Sequence, residues 1–116
     1  MEDLRVMLAN FAQDRDWDLY HKPRNLIMAL TGEVGELAEI FQWKTDAEAD
    51  VGLPGWSARD RERVEHELSD VLLYLLRIAD RCDVDLPAAA VRKIALNGQK
   101  YPVEKARGSA KKYNEL

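Results

Sequence analysis

The 116-residue chain is predicted to be all-α, a bundle of four main helices that assembles as an oligomer. Three observations predict this. Apolar residues recur at three- and four-residue steps along four stretches, and no stretch alternates strictly between apolar and polar residues. The few Gly and Pro lie mostly between those periodic stretches. A composition 47% hydrophobic and 33% charged suits one soluble domain. The expected domain covers residues 1–102, and residues 103–116 form a basic tail.

The first helix, about Glu2 to Asp16, puts Leu4, Met7, Leu8 and Phe11 on one stripe. A polar and aromatic stretch, Asp14 to Lys22, leads to Pro23, which suits the first turn of a second helix running to about Trp43. Leu26, Leu30, Val34, Leu37 and Phe41 form its apolar stripe, whose centre lies about 60° from Glu33 at 100° per residue. Thr45 to Trp56, with Gly52, Pro54 and Gly55, reads as a loop. Ser57 is the expected N-cap of a long third helix to about Cys82, with Asp60 near its positive end. Its core stripe is Val64, Leu68, Val71, Leu75, Ile78 and Ala79. Leu72, Leu73 and Leu76 spread apolar surface further than a monomer this small can cover, which argues for a homo-oligomer. Asp85 and Pro87 open a fourth helix that ends near Lys100, before Pro102.

The formal net charge of −4 argues against nonspecific nucleic-acid binding. No apolar run reaches the length of a membrane span, so neither nucleic acid nor membrane is an expected partner. A lone cysteine, Cys82, and a start without a secretory pattern suggest a reducing, cytoplasmic location. Cys82 itself reads as a small buried residue near a helix end. Charge is uneven: from Arg92 to Tyr113 there are seven basic residues and one acid, Glu104. An acidic middle followed by a basic end suits a metal-polyphosphate ligand.

Two acid pairs carry the chemistry. Glu33 with Glu36, and Glu67 with Asp70, each stand three residues apart, so each pair projects from nearly one helix face. Side by side, the two helices would bring four carboxylates together. Such a cluster repels itself unless a cation sits within it, and all-oxygen ligation suits Mg²⁺, Mn²⁺ or Ca²⁺ better than zinc. One i, i+3 acid pair alone is more often a solvated surface than a site. Two pairs beside apolar stripes shift the balance toward function. Neither histidine, His21 or His66, follows a glutamate by three residues, which disfavours di-iron chemistry. No phosphate-binding glycine loop, placed nucleophile or zinc spacing is present, so metal-assisted hydrolysis remains.

Trp17, His21, Asn25 and Trp43 flank the second helix, where flat rings could stack a nucleobase and His21 or Asn25 could read its edge. The plainer reading of both tryptophans is core packing. Tyr74 stands one turn beyond the second acid pair. Trp56 reads as a packing anchor or lid residue.

The acids stand in the blocks HKPRNL, GEVGELAE, FQWK and ELSDVL. In this order the chain resembles the all-α nucleoside triphosphate pyrophosphohydrolases of the MazG type, whose pattern is E-x-x-E followed by E-x-x-D. The resemblance implies Mg²⁺-dependent hydrolysis of a deoxynucleoside triphosphate to the monophosphate and pyrophosphate, with dCTP and modified cytosine nucleotides as expected substrates. It implies Mg²⁺, or Mn²⁺, on Glu33, Glu36, Glu67 and Asp70; it leaves open which acid activates the water, and Glu36 and Glu33 are the expected catalytic pair, Glu36 first. Trp17, His21, Trp43 and Tyr74 would line the base and sugar pocket. Lys93, Asn97, Lys100 and Tyr101, matching a late K-x-x-x-N-x-x-R/K-Y stretch, would serve the phosphates, although relatives carry more arginine around residues 96–100. The implied assembly is a homotetramer, a dimer of dimers. A broader hydrolase of dUTP or several triphosphates, and a non-catalytic nucleotide-binding module, are the alternatives.

Overall fold

The computed structural model describes residues 1–111; Lys112 and the rest of the expected tail lie outside the described residues. The described chain is all-helical, with α1 Glu2–Asp14, α2 Pro23–Phe41, α3 Ala58–Arg81, α4 Leu86–Lys100 and a single turn, α5 Val103–Ala106. It divides into two compact units, Met1–Asp83 and Val84–Leu116.

In the first unit, Pro23 occupies the opening turn of α2, where its missing N–H costs nothing. Ser57 caps α3 as expected: its Oγ accepts the Asp60 backbone N–H at 3.1 Å. The α3 helix ends at Cys82, where the chain turns through Asp83 at φ 55°. Cys82 is exposed there, against the expectation of burial, because a C-cap side chain has left the packed face.

The α2 and α3 helices run antiparallel, since Ile40 meets Val64 while Glu33 meets Glu67. Their shared core is Ile40, Val64 and Trp56, with Phe41 and Leu53 packed on it. The loop between the helices is held at several points. Trp56 Nε1–H donates to Glu48 O at 2.7 Å. Lys44 Nζ lies 4.5 Å over the Trp56 ring and 3.1 Å from Asp60, and Arg61 donates to the Gly52 and Leu53 carbonyls. Trp56 is thus a packing anchor, worth a large share of this small core.

Burial rotates α2 relative to the expected stripe. Leu26 and Ile40 are buried, Ala29, Leu30, Glu33, Leu37 and Phe41 are half-buried, and Val34 and Glu36 are exposed on opposite flanks. At 100° per residue, the inward face is centred about 20° from Glu33, not about 60°. On α3 the inward face also shifts. Val64 is buried near the N-terminus and Leu76, Arg77 and Ala79 near the C-terminus, while Leu68, expected in the core stripe, is 52% exposed and Leu75 is also exposed. The C-terminal half turns its packed side toward α1, and Arg5 of α1 donates to Asp80 at 3.1 Å.

In the second unit, Asp85 caps α4 by accepting Ala88 N–H at 3.1 Å, and Pro87 stands in its first turn. No residue of α4 is buried. Pro102 stands one residue past the Tyr101 C-cap of α4 and is the N-cap of α5. No helix among the described residues is long and apolar enough to cross a membrane.

Candidate active site

Rotation of α2 carries Glu33 toward α3, where Glu67 and Asp70 stand one turn apart. Each of the three offers a carboxylate oxygen, all within 4.8 Å of one another. Oε2 of Glu33 and Oε2 of Glu67 are shut off from solvent with no hydrogen-bond partner. Two acceptors without donors in a dry place are costly, and only a proton or a cation relieves them. The Glu33 carboxyl is accordingly pushed up to about 7, first by burial, then by its approach to Glu67 and by the charges of Glu36, Asp70 and Glu67. Orphaned, hard oxygen donors within one ion's reach fit a divalent cation such as Mg²⁺ or Mn²⁺. Glu36 is exposed on the flank of α2 and is not among the three; it acts on Glu33 through its charge.

Beside the acids lies a cavity of about 170 Å³ lined by Leu8, Phe11, Ala12, Trp17, His21, Leu26, Asp70, Leu73, Tyr74 and Arg77. Asp70 belongs both to its wall and to the carboxylate group. Trp17 stands edge-on to Phe11, with ring centres 5.8 Å apart, and 6.0 Å from His21. Burial and the carboxylates of Glu33, Asp70 and Glu36 push the Tyr74 phenol upward, which keeps its O–H as a donor near neutral pH. The cavity is therefore a mostly apolar slot with a few polar groups, closed at one side by an anion cluster.

Of the residues expected in the base pocket, Trp17, His21 and Tyr74 come together here. Asn25 does not line the cavity, because its Nδ2 donates to Tyr20 O at 3.1 Å and the side chain is spent on its own loop. Trp43 does not line it either; one residue past the Gln42 C-cap of α2, it is 87% exposed, which also excludes a core role. Lys93, Asn97, Lys100 and Tyr101 lie on α4 and its C-cap, in the second unit.

Arg77 was not anticipated. It is 5% exposed and lines the cavity. Its Nη2 donates to Asp18 at 2.6 Å, its Nη1 to Asp80 at 3.3 Å and its Nε to His21 Nδ1 at 3.0 Å. Arg81, one turn on, donates to the His21 and Asp18 carbonyls. Both arginines bind the 18–21 segment to α3. The signal in the sequence was a lone arginine inside the apolar run LLYLLRIA.

Comparison with known proteins points the same way. The model of the MazG-like family matches residues 29–116. Human dCTP pyrophosphatase 1 is 55% identical over 116 residues, all of this chain and 67% of that protein, and the rat protein of the same name is 54% identical over the same span. A crystal structure of a pyrophosphatase from Archaeoglobus fulgidus superposes with a TM-score of 0.77 at 38% identity, covering 88% of this chain and 92% of that one.

Proposed function

The chain belongs to the MazG-like family, and on that premise we propose that it hydrolyses dCTP to dCMP and pyrophosphate, with base-modified cytosine nucleotides as further substrates. Relatives named for dCTP pyrophosphatase activity, 53–55% identical along the whole chain, support this. The observation that carries it is the shared wall at Asp70, where a slot for a flat ring adjoins three carboxylates within 4.8 Å. A nucleotide is a flat ring joined to a polyanion, and this pair of neighbours matches both ends.

Glu33, Glu67 and Asp70 would hold Mg²⁺, with Glu36 at the edge of the cluster. A bound divalent cation supplies charge neutralisation for the triphosphate and a site at which water is more acidic. Glu36, exposed beside Glu33, is the base assigned to the attacking water. Trp17 and Tyr74 bound the base slot and His21 offers it a hydrogen bond. Trp43, exposed in the single chain, joins the pocket in this reading by moving inward or by reaching the slot of a neighbouring copy. Lys93, Asn97, Lys100 and Tyr101 would serve the phosphates.

Exposed Leu68, Leu75 and Val34 on the two helices that carry the acids support assembly of the chain with copies of itself, read here as a homotetramer. A cytoplasmic location and nucleotide-pool cleansing complete the reading. The test is a product-resolved assay with dCTP and Mg²⁺ across a panel of common and methylated triphosphates. Pyrophosphate with dCMP is the expected product. Orthophosphate release, or binding without turnover of any triphosphate, would overturn the proposal; equal rates on dUTP would move it to the broader hydrolase.

A further inference from the structure

We infer that Arg77 is a positioning residue that fixes the His21 imidazole in one form, neutral with its proton on Nε2, so that the cavity meets its ligand with a hydrogen-bond donor at that point. The inference deepens the proposed function and rests on it for the identity of the ligand.

The argument starts from donor arithmetic. A guanidinium carries only N–H groups and cannot lose its charge in a protein, so Arg77 Nε can only donate. His21 Nδ1, 3.0 Å away, must therefore accept. An imidazole that accepts at Nδ1 while neutral carries its hydrogen on Nε2. A charged ring would set an N–H against an N–H and a cation against a cation. Burial first, and then the Arg77 charge, lower the His21 pKa, opposed by Asp18. Arg81 acts in the same sense as Arg77.

The clamp is rigid because every nitrogen of the guanidinium is engaged. Asp18 and Asp80 hold two of them, and Asp80 is itself held by Arg5 of α1. The three partners lie on the 18–21 segment and one turn along α3, an arrangement that suits a planar fork. A lysine, with one nitrogen, cannot reach all three. Nε2 is then the nitrogen left for a ligand in the cavity that His21 lines. A fixed N–H there donates to a ring-nitrogen lone pair or a carbonyl oxygen and rejects an N–H edge, because two donors facing one another leave both unsatisfied.

The test reads the ring directly. The sequence has two histidines, His21 and His66, so long-range ¹⁵N–¹H spectra of the full labelled chain, with His66→Gln for assignment, report the His21 tautomer at neutral pH without any nucleotide. The Nε2–H form is expected. An Nδ1–H or charged ring would overturn the assignment. In Arg77→Lys the two tautomers should mix, and KM for dCTP should rise by the inverse of the fraction left in the Nε2–H form, about twofold at equal mixing, with kcat little changed. An unchanged tautomer and KM would overturn it. A second pair guards against a variant that fails to fold: in His21→Gln the amide nitrogen reaches toward the place of Nε2, whereas in His21→Asn it stands in for Nδ1. The Gln variant should bind dCTP more tightly, and equality or the reverse order counts against Arg77 control. An Nε2–H ring that changes in Arg77→Lys upholds the assignment even if no triphosphate is turned over, a failure that would fall on the function alone.

Discussion

Glu67→Gln should make the metal-free protein more stable at pH 8 and abolish its response to Mg²⁺. The substitution replaces one of two facing acceptors with an amide that can donate to the orphaned Glu33 Oε2. Raising a carboxyl from 4.5 to about 7 costs the native state about 3 kcal/mol once the group is ionised, at 1.36 kcal/mol per unit. The native pKa lies above the unfolded one, so the contribution of Glu33 to stability is intact below pH 4.5 and is lost as pH rises through about 7. Burial is the largest cause and survives the substitution, so only the part due to Glu67 is recovered, about 1–2 kcal/mol. Urea unfolding at fixed protein concentration in chelator, at pH 8 and again at pH 4.5, measures it. The variant should gain about 1–2 kcal/mol in unfolding free energy at pH 8 and nothing at pH 4.5, where Glu33 holds its own proton. Added Mg²⁺ should stabilise wild type alone. A variant less stable than wild type at pH 8 would show that the cluster is not electrostatically strained, and the argument for a cation would fall with it.

Three further outcomes are expected, each read by thermal unfolding in the presence of chelator. Ser57→Ala should cost about 1 kcal/mol by leaving the Asp60 N–H without its acceptor. Trp56→Ala should cost about 3–5 kcal/mol, since it empties the core of Ile40 and Val64 and frees the Glu48 carbonyl, whereas Trp43→Ala, at an exposed side chain, should stay within about 0.5 kcal/mol of wild type.

The helices were legible because their signals are local: Pro23 in a first turn, and Ser57 and Asp85 as caps, act within three residues. The acid pairs were legible because a three-residue step fixes a shared face whatever the rest of the fold does. Sequence spacing sets relative azimuth but not which azimuth faces inward. That choice depends on how α2 seats against α3, and it turned Glu33 inward while leaving Glu36 and Val34 on the flanks. Arg77 was illegible for a different reason. Its partners Asp18 and His21 stand 59 and 56 residues away, and only the folded 18–21 segment brings them to it. Asn25 misled because its amide is satisfied by the Tyr20 carbonyl five residues back, a local bond that competes with any ligand.

Glu67, Asp70, Tyr74, Arg77 and Arg81 follow one another on α3, and between them they touch the carboxylate group, the cavity wall and the backbone of the opposite rim. The helix thereby works as a gauge. From Asp70 to Arg77 the rise is about 10 Å, set by backbone hydrogen bonding and not by any side-chain choice. The length a molecule must have to touch both ends is written into the helical pitch, and drift in the surrounding packing can widen or narrow the slot without altering its measure.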